Sequence, residues 1–153
     1  MSKPKADPER SYKLLNACKI LGMGCIQYDL VDAGRNVPMG EIPPLYLDNY
    51  DHLVCHNKVA EYGHPGHLQV YNYIHNNYSA SKPITYFGYG LPKTDITTFY
   101  NLTDDELSMK MSALRSYNHI HNGKPYCENL IKWIQEMPGY KLDFESFAGD
   151  TFI

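Results

Sequence analysis

The chain has 153 residues, 43% of them apolar and 20% charged, which suits one globular domain with a buried core and not a disordered tail. A formal net charge of -3, with no cluster of Lys and Arg, argues against a binder of duplex nucleic acid, which must neutralise a run of phosphates. No apolar run reaches the roughly 18 residues of a membrane span, and the first ten residues hold no apolar stretch, so neither membrane insertion nor a Sec signal is expected.

In chain order, Pro8 to Leu21 reads as a helix, with Asp7 as N-cap and Pro8 at its first position. Gly22-Met-Gly24 interrupts it. A second short helix, Cys25 to Ala33, is expected to end at a left-handed Gly34. Residues 35 to 50 hold three prolines and read as an irregular connection. Three strands are then expected. Asp51 to His56 is short. His67 to Ile74 alternates, with Leu68, Val70 and Ile74 on one face, and Pro83 to Gly88 is the third. Thr103-Asp-Asp-Glu106 is a capping box that starts a helix burying Leu107, Met111 and Leu114. A last helix begins near Cys127, buries Leu130, Ile131 and Ile134, and stops at Pro138-Gly139. This order predicts a single α+β domain over 1–153, with an antiparallel sheet.

Two features of the composition bear on chemistry: 14 Tyr, against one Trp and five Phe, and seven His. Tyrosine joins apolar area to a polar tip and suits a binding face. Asp51, His52, Cys55, His56, His64 and His67 are the right residue types for zinc, but they form no compact motif. His52 and His56 would converge only on a helix, and His119-x-His121 reads as a pair of loop histidines. No metal site is therefore assigned, and a metalloprotein that uses this histidine cluster is kept as a third possibility. Gly22-x-Gly24 and Gly88-Tyr-Gly90 fail as phosphate loops, because neither joins a strand to a helix in the required way.

Cysteine and histidine remain. A helix N-terminus stabilises a thiolate, and the expected helix starting at Cys25 places that thiol there. His67, opening a strand, can serve as its base. Cys18 and Cys55 read as core residues. With no Cys-x-x-Cys pair, all four thiols are expected to be free.

The segment from Cys25 to Pro38 resembles the cysteine helix of the CHAP and NlpC-type amidases and endopeptidases that cut peptidoglycan. Asp51-His-Leu-Val-Cys-His56 is similar to the family's Gly-Asp-Leu-Val-Phe-Phe strand, and Pro65-Gly-His-Leu-Gln-Val-Tyr71 to its Gly-His-Val-Gly-Ile-Tyr strand. The three segments keep the family order over roughly residues 22 to 90. The resemblance implies a papain-like α+β fold, with N-terminal helices packed on a small sheet and C-terminal helices. It implies a cysteine amidase acting on peptidoglycan peptides with no cofactor. Cys25 would attack the amide carbonyl, with its own backbone N–H as an oxyanion donor, and His67 would carry the proton. The residue that orients His67 is open: His75 shares its face by strand parity, with Thr85 and Tyr86 as equals.

Tyr126-Cys-Glu-Asn-Leu-Ile-Lys-Trp133 is also similar to the cysteine helix of permuted papain-like proteins, which makes Cys127 a rival nucleophile. A different expectation is a non-catalytic, phage-type interaction or inhibitor protein that uses its tyrosines to bind a protein partner. For a wall enzyme without a Sec signal, synthesis in the cytoplasm and delivery to the periplasm or wall by a non-Sec route are expected.

Overall fold

A computed structural model describes residues 8–28, 30, 42–118, 120–121, 124–136 and 143–149. The elements are α1 (Pro8–Ile20), β1 (Leu53–Cys55), α2 (Ala60–Gly63), α3 (Pro65–Tyr78), β2 (Ile84–Phe87), a 3-10 turn (Lys93–Asp95), β3 (Thr98–Asn101), α4 (Asp104–Ser116), β4 (Ile120–His121), β5 (Lys124–Pro125), α5 (Tyr126–Glu136) and β6 (Phe144–Gly149). The class is α+β. The chain forms two compact units, one from Met1–Asp29 with Asn101–Phe144 and one from Leu30–Tyr100 with Glu145–Ile153. Among the described residues, no helix is long and apolar enough to cross a membrane.

In the first, helical unit, α1 lies against α4, and Ala17 and Ala113 are buried. The capping box forms as the sequence predicts: Thr103 Oγ1 accepts from the Glu106 N–H, and a Glu106 carboxylate oxygen accepts from the Thr103 N–H at 2.8 Å. These two bonds satisfy backbone donors that the first turn of α4 would otherwise leave without partners. Cys127 is buried at the start of α5, and its N–H donates to Asn118 Oδ1 at 3.0 Å.

The second unit holds a four-stranded sheet in the order β1-β2-β6-β3. β1 pairs with β2 in parallel, Val54 opposite Thr85, whereas β2 pairs with β6 antiparallel, Tyr86 opposite Ala148. The sheet is thus mixed, where the sequence predicts antiparallel pairing. The cause is α3. Residues 67–74 form part of a helix, so the chain crosses over between β1 and β2 and returns in the same direction, as a parallel pair requires. Pro65 takes the first helical position, and His64, its N-cap, accepts the Gly66 N–H at Nδ1, 3.2 Å away. The alternation that suggests a strand fails at Asn72, which is exposed, while Val70, Ile74 and Tyr78 repeat at helical spacing and pack into one core. That core joins Leu53, Cys55, Ile74 and Ile84.

The helix expected from Cys25 does not form over 25–28, which are irregular. Two glycines precede that segment, and Gly22 turns with φ of +67°, a backbone that glycine adopts without strain. Leu30 is likewise irregular, and the rest of that helix, its Gly34 cap, the Asp7 cap, His119 and the Pro138-Gly139 stop lie outside the described residues. β3 and β6 have no counterpart among the predicted strands.

Candidate metal centre

β1 and β2 end side by side, and the chain leaving β1 builds a cluster there. His56 follows the last residue of β1, Glu61 sits in the distorted turn α2, and His67 occupies the first turn of α3. His56 Nδ1 lies 3.0 Å and His67 Nδ1 2.6 Å from the same carboxylate oxygen, Glu61 Oε2. The two imidazoles stack at 3.9 Å between centroids, with planes 9° apart. The candidate ligand atoms of the three residues lie within 4.8 Å of one another, the one such group of His, Cys, Asp or Glu among the described residues.

Local structure explains the convergence. Asn57 is 1% exposed, and its amide is used completely. Its Nδ2 donates to the carbonyls of Phe87 (2.7 Å) and Tyr89 (2.5 Å), while its Oδ1 accepts from the N–H groups of Val59 (3.0 Å) and Glu61 (3.2 Å). This clasp ties the turn after β1 to the end of β2. The Asn57 N–H donates to Glu61 Oε1 at 3.1 Å, so one carboxylate oxygen is anchored and the other faces the imidazoles. The turn is strained: Ala60 and Glu61 both have φ of 55°, and Glu61 has ψ of -72°. Such backbone persists only where its surroundings enforce it, and it collects at functional sites.

Burial works against the charged form of Glu61, but hydrogen bonds from His56, the Asn57 N–H and His67, with the charge of His56, hold its carboxyl below the ordinary range. His67 is also held below its ordinary value, first by burial and then by the charge of His56, which together outweigh the pull of Glu61. This favours the neutral imidazole, whose proton, donated from Nδ1 to Glu61 in a hydrogen bond, must shift to Nε2 before Nδ1 can bind a metal. Glu61's side chain is 10% exposed and those of His67 and His56 are 27% and 30%, so the cluster is shielded yet reachable from solvent.

His64 packs at 4.8 Å from the His67 ring, and the edge of Tyr62 meets both. A backbone N–H is always the donor, so by accepting one at Nδ1 His64 must carry its proton at Nε2. Neither nitrogen of a neutral His64 then has a lone pair for an ion.

Of the residues singled out from sequence, His67 belongs to the cluster. His75 does not: its Nδ1 meets the Tyr86 hydroxyl at 2.9 Å, and its ring stacks on Tyr71. The parity that pairs His75 with His67 is a property of strands and lapses on α3. His52 bonds Thr85 through Nε2 at 2.7 Å. Cys25 and Cys127 lie in the helical unit. All four cysteines are free, as expected. Burial raises the Cys25 thiol, with a contribution from Cys18, and burial raises Cys127. Cys55 is pushed up to about 11 by burial.

Sequence reasoning passes over Glu61 and Asn57. Glu61 has no regular spacing from either histidine, and Asn57 reads as an ordinary turn residue. The one available signal is the density of histidines on both sides of a single acid. No family model, curated protein or solved structure matches the chain.

Proposed function

We propose that the protein binds a divalent transition metal, zinc in the first instance, through His56, Glu61 and His67, and uses it to hydrolyse an amide. The observation that carries this reading is the convergence of two imidazole Nδ1 atoms on one half-buried carboxylate oxygen. Ligands bonded to zinc at roughly 2.0–2.1 Å in a tetrahedron stand about 3.3 Å from one another. The observed 3.0 and 2.6 Å approach that spacing, and binding requires the two stacked rings to turn so that each directs an in-plane lone pair at the ion.

Two imidazoles and a carboxylate suit a catalytic zinc, which keeps one position for water. The exclusion of His64 supports three protein ligands over four. Zinc bound there would lower the pKa of its water far enough to supply hydroxide at neutral pH. Held by His56, Glu61 and His67, the ion would supply such a hydroxide as nucleophile for an amide carbonyl, the C–N bond breaking and the proton passing to the leaving amine. One water is consumed. The anchored Glu61 Oε1 and the Asn57 clasp supply the outer contacts that orient the ligands.

The thiol-dependent amidase with a papain-like fold is a second reading, favoured by one contact. Glu61 is placed to orient His67 as a base, the partner that the sequence leaves open. The raised Cys25, Cys55 and Cys127 thiols weigh against it, since a nucleophilic cysteine needs a lowered pKa.

Calorimetric titration of metal-free protein with zinc tests the first reading, with cobalt absorption reporting the coordination geometry. One tight site is expected, lost in His56→Ala, Glu61→Gln and His67→Ala. His64→Asn, which keeps an N-cap acceptor, should retain it. Binding that survives Glu61→Gln, or depends on His64 instead, overturns the assignment.

A further inference from the structure

A cleft of about 410 Å³ lies next along the same two segments of chain. Asn57 and Lys58, which line it, follow His56 directly, and Tyr71, another wall, stands one helical turn after His67 on the same face of α3. Tyr86 of β2 forms the adjoining wall, its ring 5.4 Å from that of Tyr71, and Gly149 of β6 closes one side. Lys58 and Asp95 also line it, paired at 2.9 Å with side chains 59% and 35% exposed. The volume lies in the range of small-molecule sites.

We propose that this cleft binds the substrate of the metal centre, and that the substrate is a short peptide with free ammonium and carboxylate ends and an aromatic side chain. This identification of the substrate class rests on the metal reading above. The tyrosines offer the edges and faces against which an aromatic ring packs. The ion pair selects the charge type. A simple anion near Lys58 also meets Asp95, and a simple cation near Asp95 also meets Lys58, so each gains little. A zwitterion of matching span places its carboxylate on Lys58 and its ammonium on Asp95 and satisfies both. An exposed ion pair contributes little to folding, which leaves it available to a ligand.

The test uses the full chain freed of metal with a chelator and titrated with glycyl-phenylalanine, followed by amide chemical shifts. Binding is expected, with shifts at Lys58, Tyr71 and Asp95. N-acetylation of the peptide, or amidation of its carboxylate, should each weaken binding by about tenfold, the loss of one charge-assisted hydrogen bond. The double variant Lys58→Asp/Asp95→Lys keeps an ion pair but reverses its sense, and it should weaken binding to a similar degree. Absence of binding, or equal binding of the blocked peptides, overturns the proposal. Zinc titration without peptide separates the two readings. Zinc binding without peptide binding removes the cleft assignment alone, and peptide binding without zinc binding removes the metal centre and leaves the cleft as a peptide site with no role as its substrate pocket.

Discussion

The backbone of Gly90 runs so close to Glu61 that a Cβ at position 90 would overlap the Glu61 carbonyl oxygen. Gly90 also has φ of +74°, where any other residue is strained. The loop after β2 therefore presses on the strained turn that presents the candidate carboxylate, while Asn57 pulls the same turn towards the carbonyls of Phe87 and Tyr89.

Gly90→Ala should disturb both features, because the overlap is with backbone and no side chain can rotate away. We expect a loss of about 1–3 kcal/mol in stability and zinc affinity at least about tenfold weaker. Thermal melts and zinc titration of the same sample report the two effects. A variant with native affinity would show that Glu61 is not held from this side.

Asn57→Ala removes a side chain that serves four backbone groups at the ends of β1 and β2. Leaving buried donors and acceptors without partners predicts a cost of about 3 kcal/mol. Asn57→Asp, close to isosteric, should be no better, because it sets a carboxylate against two carbonyls. Urea denaturation checks both variants, and an Asn57→Asp protein as stable as the parent would contradict the clasp.

Acid should destabilise the metal-free protein. The Glu61 carboxyl lies below its ordinary 4.5 in the fold, so its contribution is present above that value and fades as pH falls through the folded-state pKa. The His67 pKa is also lowered, so the unfolded chain takes up its proton near 6.5 while the folded one resists, and stability falls as pH drops below that value. Both act in one direction. Urea midpoints between pH 7.5 and 4 should fall more steeply for the parent than for a Glu61→Gln/His67→Asn double variant, and parallel slopes would refute the coupling.

Thiol labelling bears on the cysteine-hydrolase reading. Iodoacetamide at about pH 6 should leave Cys25, Cys55 and Cys127 essentially unmodified, since each is raised above its ordinary value. Rapid modification of Cys25 or Cys127 at that pH, mapped by mass, would restore that reading. Cys55 has a separate consequence at high pH. Its folded value near 11 stands above an ordinary 9, so stability is intact below 9 and about 2–3 kcal/mol is lost as pH rises through 11.

The sequence discloses features set by near neighbours. The Thr103–Glu106 box, the proline start of α1 and the short runs of β1 and β2 are local signals, and each element forms where expected. His67 to Ile74 reads as a strand because Val70 and Ile74 of its core-facing stripe, with the exposed Leu68, also fit a two-residue period; Pro65 and Tyr78 resolve the ambiguity only when the window is widened. β6 pairs with a strand some sixty residues earlier (Tyr86 with Ala148), and that pairing leaves little trace in its own composition. The site divides in the same way. His67 is visible as a chemically capable residue, whereas Glu61 is chosen by an unusual backbone and by a loop that follows β2, neither of which has a signature at position 61.

All three candidate ligands fall between residues 56 and 67, so drawing them together closes only a short loop and sacrifices little chain entropy. The Asn57 clasp spans a much longer loop, to Phe87 and Tyr89, and forms only once β2 has paired with β1. Loop length alone therefore favours early contact of the histidines with the acid, with docking of β2 needed to set their geometry. An ion present during refolding would then speed the first step and leave the second unchanged.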